Sequence, residues 1–159
     1  MPSFRGIDHF SLTVTDLDRS EHFYTEVLGL KSLIDFGTVR TLVDRASGFI
    51  LALAKHDAAT GKPFTELNTG LDHVGFAAAS RDELVEWERR FDELGVIYTP
   101  IRDEAFAAHL NFRDPDNIAL ELSASNEIYD SWMEELRTRD VPPEEIRARV
   151  DEYFASLQS

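Results

Sequence analysis

Two short phrases carry the side chains best suited to chemistry. Residues 6 to 10 read GIDHF and residues 70 to 74 read GLDHV, so Gly6, Asp8 and His9 fall on Gly70, Asp72 and His73. Alternate residues of a strand share a face. His9 therefore lies with Ser11 and Thr13, away from Phe10, Leu12 and Val14. His73 shares its face with Gly75 and Ala77, small residues that leave space before an imidazole, while Val74 and Phe76 pack behind. Glu121 stands between Leu120 and Leu122, and a carboxylate buried in a strand needs a partner to offset its desolvation. Two imidazoles and one carboxylate on three strands can occupy one face of an octahedral ion, leaving the other positions for water, substrate or oxygen. For any one of these residues alone, the alternative is a hydrogen-bonded core histidine or a glutamate paired with arginine. Their repeat-related placement favours ligands.

His109 and Asn111 fall on the polar face of AHLNF, opposite Leu110 and Phe112. Histidine titrates near neutral pH, so His109 is the expected general acid or base, with a substrate hydrogen bond or a solvent-facing edge as the alternative. His22, within a helical stretch, and His56, at the head of a linker, have no repeat partner and read as surface residues.

The elements that must position these groups repeat as well. Residues 6 to 30 can be laid over residues 70 to 96. Each copy opens with a strand-like run, followed by a helix start at Thr15 with Asp18 or at Ser80 with Glu83, the spacing of a capping box. Each helix ends at a glycine, Gly29 or Gly95, where a left-handed cap is usual. Strand-like composition then returns, and two hairpins with polar turns RASG and DPDN close the copies, aligning Ala52 with Glu121. The DPDN turn reads as backbone chemistry that sets Glu121 in register, since Asp and Asn accept turn geometry and Pro fixes one dihedral.

Two copies of such length are too few and too long for a solenoid. The pattern predicts an α+β fold of two tandem βαβββ modules, residues 1–55 and 70–124, joined by a linker at 56–69 and followed by a helical extension at 125–159. In that extension Ile146, Val150, Tyr153, Phe154 and Leu157 recur at helical spacing after Pro142 and Pro143, which reads as a bracing or dimer-contacting helix.

Composition bounds the partners. With 43% hydrophobic residues the chain can bury a core, and a net charge of −14 without a basic run disfavours nucleic acid and anionic membranes. The absence of cysteine excludes disulfides and thiolate ligands, leaving imidazole and carboxylate to hold any metal. The start MPSFRGID lacks the pattern of a signal peptide, and apolar runs such as FILALA are too short to span a bilayer, so a cytoplasmic protein is expected.

Paired modules that each open with a strand-borne Asp-His, together with a terminal DPDN-x-x-x-E hairpin, resemble the vicinal-oxygen-chelate superfamily. Its members include glyoxalase I, fosfomycin-resistance proteins, methylmalonyl-CoA epimerase, extradiol dioxygenases and bleomycin-resistance proteins. The resemblance covers residues 6 to 124. It implies curved mixed sheets around a cavity, with His9, His73 and Glu121 as ligands of a divalent iron, manganese, nickel or zinc ion. It also implies a small vicinally oxygenated substrate and a homodimer in which His9 of one subunit can join His73 and Glu121 of another. Glyoxalase I has a fourth ligand where this chain has Ala52, which counts against that activity and points to dioxygenase or fosfomycin-type sites. Lyase or isomerase chemistry and extradiol-type oxygenation both remain open, and a metal-free drug-binding protein is the competing class. Ser11, Arg40 and Asn111 are the expected substrate contacts, Arg40 because arginine suits an anionic group, with Tyr98 as a further candidate.

Overall fold

A computed structural model describes residues 6–158; the first five residues, read above for targeting signals, lie outside the described residues. The element order is β1 (His9–Thr13), α1 (Leu17–Glu26), β2 (Lys31–Asp35), β3 (Val39–Val43), β4 (Ile50–Ala54), β5 (Val74–Ala77), α2 (Arg81–Leu94), β6 (Arg102–Asp103), β7 (Ala107–Arg113), β8 (Ala119–Ser125), α3 (Glu127–Thr138) and α4 (Pro143–Ser156). The strands form two four-stranded mixed sheets, in the orders β1-β4-β3-β2 and β5-β8-β7-β6. In each, the first strand of the module runs parallel to the last and the intervening strands are antiparallel. This is the α+β arrangement that the repeat predicts, with two helices added at the end.

Local chemistry explains the helix boundaries. Ser80 accepts a hydrogen bond from the Glu83 amide, and the Glu83 carboxylate accepts from the Ala79 amide, so α2 begins with a variant of the expected capping box whose return bond falls one residue before the cap. In α1 the cap is Asp16, which accepts from the Arg19 amide, and not Thr15. The hydroxyl of Thr15 is drawn away to Asp116 in the other module. Gly95 caps α2 in the left-handed conformation at φ 65°. Gly29 is also left-handed, but α1 has already ended at Val27, two residues earlier.

Burial follows period. In β7, Ala108, Leu110 and Phe112 are buried, while Ala107, His109, Asn111 and Arg113 face the other side half-buried. In α1, Leu17, Ser20 and Tyr24 form the inward stripe, continued by the buried cap residue Val27. One hydrophobic core serves both modules: Tyr24, Leu42, Leu51 and Leu53 belong to the same buried cluster as Leu84, Phe91, Leu110, Phe112 and Leu120.

Polar bonds then lock the modules together at the DPDN turn. Asp114 Oδ1 accepts from the amides of Asp116 and Ile118, and its Oδ2 accepts from the Tyr24 hydroxyl. Asp116 accepts from the Thr15 amide and hydroxyl and pairs with Arg19 at 2.7 Å. Burial pushes the Asp114 carboxyl above its usual range, and burial together with the Asp114 charge pushes the Tyr24 phenol well up.

The extension packs on the second module through rings. Phe106, just before β7, stacks on Tyr153 of α4 with centroids 5.0 Å apart and lies 5.6 Å from Trp132 of α3. Glu135 of α3 and Glu145 of α4 share Arg139 and Arg149, which hold α3 and α4 together. The two arginines hold the Glu135 carboxyl at about 2 and also lower that of Glu145. Depressed carboxyls stabilise the folded form above their unfolded values, near 4.5, and lose that contribution as pH falls toward 2. Acidification from pH 5 to pH 2 will therefore loosen α4 and change Trp132 emission, and Glu135→Gln will shift emission at neutral pH and flatten that change. An unaltered acid transition in the variant would refute the assignment.

Candidate metal centre

Antiparallel and parallel register bring Gly75, Glu121 and Asn111 side by side across β5, β8 and β7. Glu121 is 9% exposed, and its ion-pair partners among the described residues are two histidines. His73 Nε2 lies 3.9 Å from Glu121 Oε1, and His109 Nδ1 lies 3.0 Å from the same oxygen. The second approach is close but misaligned, so His109 Nδ1 is a buried nitrogen that makes no hydrogen bond. A buried polar atom left without a partner beside a buried carboxylate is costly, and such cost is concentrated where a ligand completes the set. A Cβ built on Gly75 would stand 3.8 Å from Glu121 Oε1, so the glycine keeps the front of the carboxylate open.

The histidine rings are oriented by their sequence neighbours. His73 Nδ1 donates to Asp72 Oδ1 at 2.7 Å, and His9 Nδ1 donates to Asp8 Oδ2 at 2.8 Å. With Nδ1 carrying the hydrogen, Nε2 presents its lone pair, the tautomer a metal requires. Asp8 and Asp72 were legible in the sequence only as parts of a repeated phrase. Their role as ring orienters follows from the distances. The donor set of imidazole and carboxylate oxygen fits a divalent first-row ion.

His9 stands apart. It begins β1 in the other sheet, registered with Ile50, and it is exposed. Ser11 follows on the same face and pairs with Ala52, which occupies in the first module the place of Glu121 in the second. Among the described residues of one chain, no set of three or more His, Cys, Asp or Glu side chains is arranged to hold a metal ion. Arg40 faces α1, where Asp18, Glu21 and Asp35 surround it at 2.6 to 3.0 Å, so it stands on the opposite face from Thr41 and Ala52. Tyr98 donates its hydroxyl to Asp92 and packs its ring on Phe91, on the helix side of the second sheet. His22 and His56 are exposed. No helix among the described residues is long and apolar enough to cross a membrane.

Comparison with known proteins agrees with this architecture. The model of the Glyoxalase/Bleomycin resistance protein/Dioxygenase superfamily matches residues 6–122. A glyoxylase/bleomycin resistance protein/dioxygenase domain from Frankia sp. EAN1pec is 38% identical, covers 78% of this chain and all of its own, and superposes with a TM-score of 0.71. The genomically encoded fosfomycin resistance protein FosX from Listeria monocytogenes shares the fold at 20% identity, with 80% of this chain and 98% of its own covered and a TM-score of 0.64. One crystal structure of that protein contains Mn(II) and sulfate. The Bacillus subtilis (strain 168) protein MhqA, named as a ring-cleaving dioxygenase, is 26% identical over 98% of this chain, which spans 52% of MhqA. With its paired βαβββ modules matched by the family model from residue 6 to 122 and by a 38% identical domain over 78% of its length, this chain belongs to the Glyoxalase/Bleomycin resistance protein/Dioxygenase superfamily.

Proposed function

We propose that the chain is a metal-dependent enzyme acting on a small, vicinally oxygenated substrate, with His73, Glu121 and the His9 of a second copy as ligands. The observation that carries this reading is Glu121, buried in β8 with a glycine before it and imidazoles as its ion-pair partners. His9 lies on the separate first sheet of its own chain, so a homodimer that sets one copy's β1 face against another's β5–β8 face supplies the third ligand. Divalent iron, manganese, nickel or zinc held there supplies Lewis acidity toward two adjacent substrate oxygens.

The chain's own residues do the rest. His109, which lines a cavity beside Glu121, offers its imidazole as the group that accepts or returns a substrate proton. Asn111, beside Glu121 on β7, offers amide donors, and Ser11 contributes a hydroxyl from the face that carries His9. Arg40, paired with three carboxylates on the α1 side of the first sheet, contributes no contact to this site. The relation to a ring-cleaving dioxygenase over nearly all of this chain favours oxygenative ring cleavage above a lyase or isomerase step. The chain spans about half the length of that relative.

Metal analysis of protein purified without chelator tests the reading directly. Wild type is expected to retain near-stoichiometric metal, and His9→Ala, His73→Ala and Glu121→Ala to lose it. Mixing unfolded and refolded His9→Ala with Glu121→Ala chains will restore some metal if the site is shared. No metal in wild type after reconstitution with any of the four ions would leave a metal-free small-molecule binder as the answer.

The carboxylate also sets a stability test. A buried glutamate whose neighbours are imidazoles, and not permanently charged groups, costs stability in the metal-free protein. Glu121→Leu should raise the melting temperature of the metal-free chain by about 2–4 °C, a gain on the order of 1 kcal/mol. A lowered melting temperature would mean that Glu121 is a structural residue.

A further inference from the structure

A second feature lies beside His109, with part of its wall drawn from beyond the stretch that matches the family model. A cavity of about 380 Å³ is lined by Phe106, His109, Ser123, Tyr129 and Phe154, with the exposed Glu104 at its rim. Its size falls within the range of about 300–1,000 Å³ usual for small-molecule sites. His109 belongs both to this cavity and to the Glu121 cluster, its Nδ1 being 3.0 Å from that carboxylate. The two spaces therefore meet at one imidazole.

The walls are unequal in kind. His109 and Ser123 are register partners on β7 and β8, so they present polar groups from one face of the sheet. Opposite them stand rings from the carboxy-terminal helices. Phe106 lies 6.1 Å from Tyr129 and 5.6 Å from Phe154, in tilted and edge-on arrangements. The Glu104 carboxylate at the rim is paired with Arg102 at 2.9 Å, so the mouth carries no uncompensated acid that would attract a cation.

The helices are fixed to this rim by specific bonds. Tyr153 donates its hydroxyl to the Ala105 carbonyl, Asn126 donates its side-chain amide to the same carbonyl, and the Asn126 backbone amide donates to Phe106. Tyr153 and Trp132 thereby act as the brace. Tyr129 and Phe154 are left 39% and 43% exposed although they adjoin the ring cluster. Aromatic faces held exposed beside a cavity by a rigid brace are a binding surface, because burying them against their neighbours would have been favourable.

We infer that the carboxy-terminal extension is part of the substrate site: Tyr129 and Phe154, with Phe106, form an aromatic wall that selects an uncharged aromatic ring and presents its hydroxyls to His109 and Ser123. This rests on the proposed function for the reacting centre at Glu121 and adds the element that sets substrate class. Tyr129 and Phe154 are specificity-determining residues and are not among the proposed metal ligands.

The test uses the full chain stripped of metal, so that it is independent of metal occupancy. The probe is 4-methylcatechol, uncharged at neutral pH, whose binding is read as a change in tryptophan emission, Trp132 lying 5.6 Å from Phe106. Competition by trans-1,2-cyclohexanediol supplies a saturated ring with the same two hydroxyls. Wild type should bind the catechol and prefer it to the diol, and Phe154→Ala and Tyr129→Ala should each weaken the catechol about tenfold, in keeping with one lost ring contact. Phe154→Tyr should restore binding, and unchanged melting temperatures will show that the brace is intact. Equal affinity for the two rings, no binding of the catechol, or equal catechol affinity in wild type and both alanine variants would overturn the inference. Metal content of Phe154→Ala reads the other reading separately: it should match wild type, whereas His73→Ala should lose metal yet keep the catechol preference.

Discussion

The arrangement of the site depends on the Asp114–Asn117 turn. One carboxylate, Asp114, gathers two amides of its own turn and the Tyr24 hydroxyl of α1, and the next, Asp116, is gripped by Thr15 and Arg19 at the start of that helix. Hydrogen bonds to a charged acceptor are stronger than neutral ones, and buried ones resist competition from water. The turn joins β7 to β8, the strands that carry His109, Asn111 and Glu121. The first module thus holds the hairpin on which the second module's chemistry stands. Because pleat alternates every residue, a one-residue slip in that hairpin would turn Glu121 into the core and Leu122 to the open face.

Around that fixed hairpin the molecule keeps groups that a purely structural chain would discard. Glu121 lies between leucines, His109 carries an unbonded buried nitrogen, and Gly75 leaves its space unfilled. Each is unfavourable alone, and all three lie on one face of the second sheet, where the structure concentrates that cost. The neighbouring aspartates matter for the same reason, since they fix which imidazole nitrogen is offered.

Much of this was legible in the sequence because period and repetition report it. The alternation in AHLNF placed His109 and Asn111 on one face, the doubled Asp-His phrase paired the two modules, and Ser80 with Glu83 announced α2. What failed to show were interactions between parts distant in the chain. Thr15 reads as a cap but is captured by Asp116, and Arg40 reads as a substrate contact but meets Asp18 and Glu21 once α1 folds over β3. The extension displayed its apolar stripe, yet nothing in its spacing could reveal that Phe106, from a different element, would be the ring on which it settles.

The two strands that open the modules also share a position whose meaning extends past this chain. In the orders β1-β4-β3-β2 and β5-β8-β7-β6, both stand at the margin of their sheets, leaving one side of each without a strand neighbour. Groups carried at a margin are defined by whatever is laid alongside, and not by the path of the polypeptide. Gene fusion, duplication or exchange of halves could therefore re-pair such margins while leaving each half's interior untouched, so the architecture offers evolution a way to recombine reactive surfaces without rebuilding a fold.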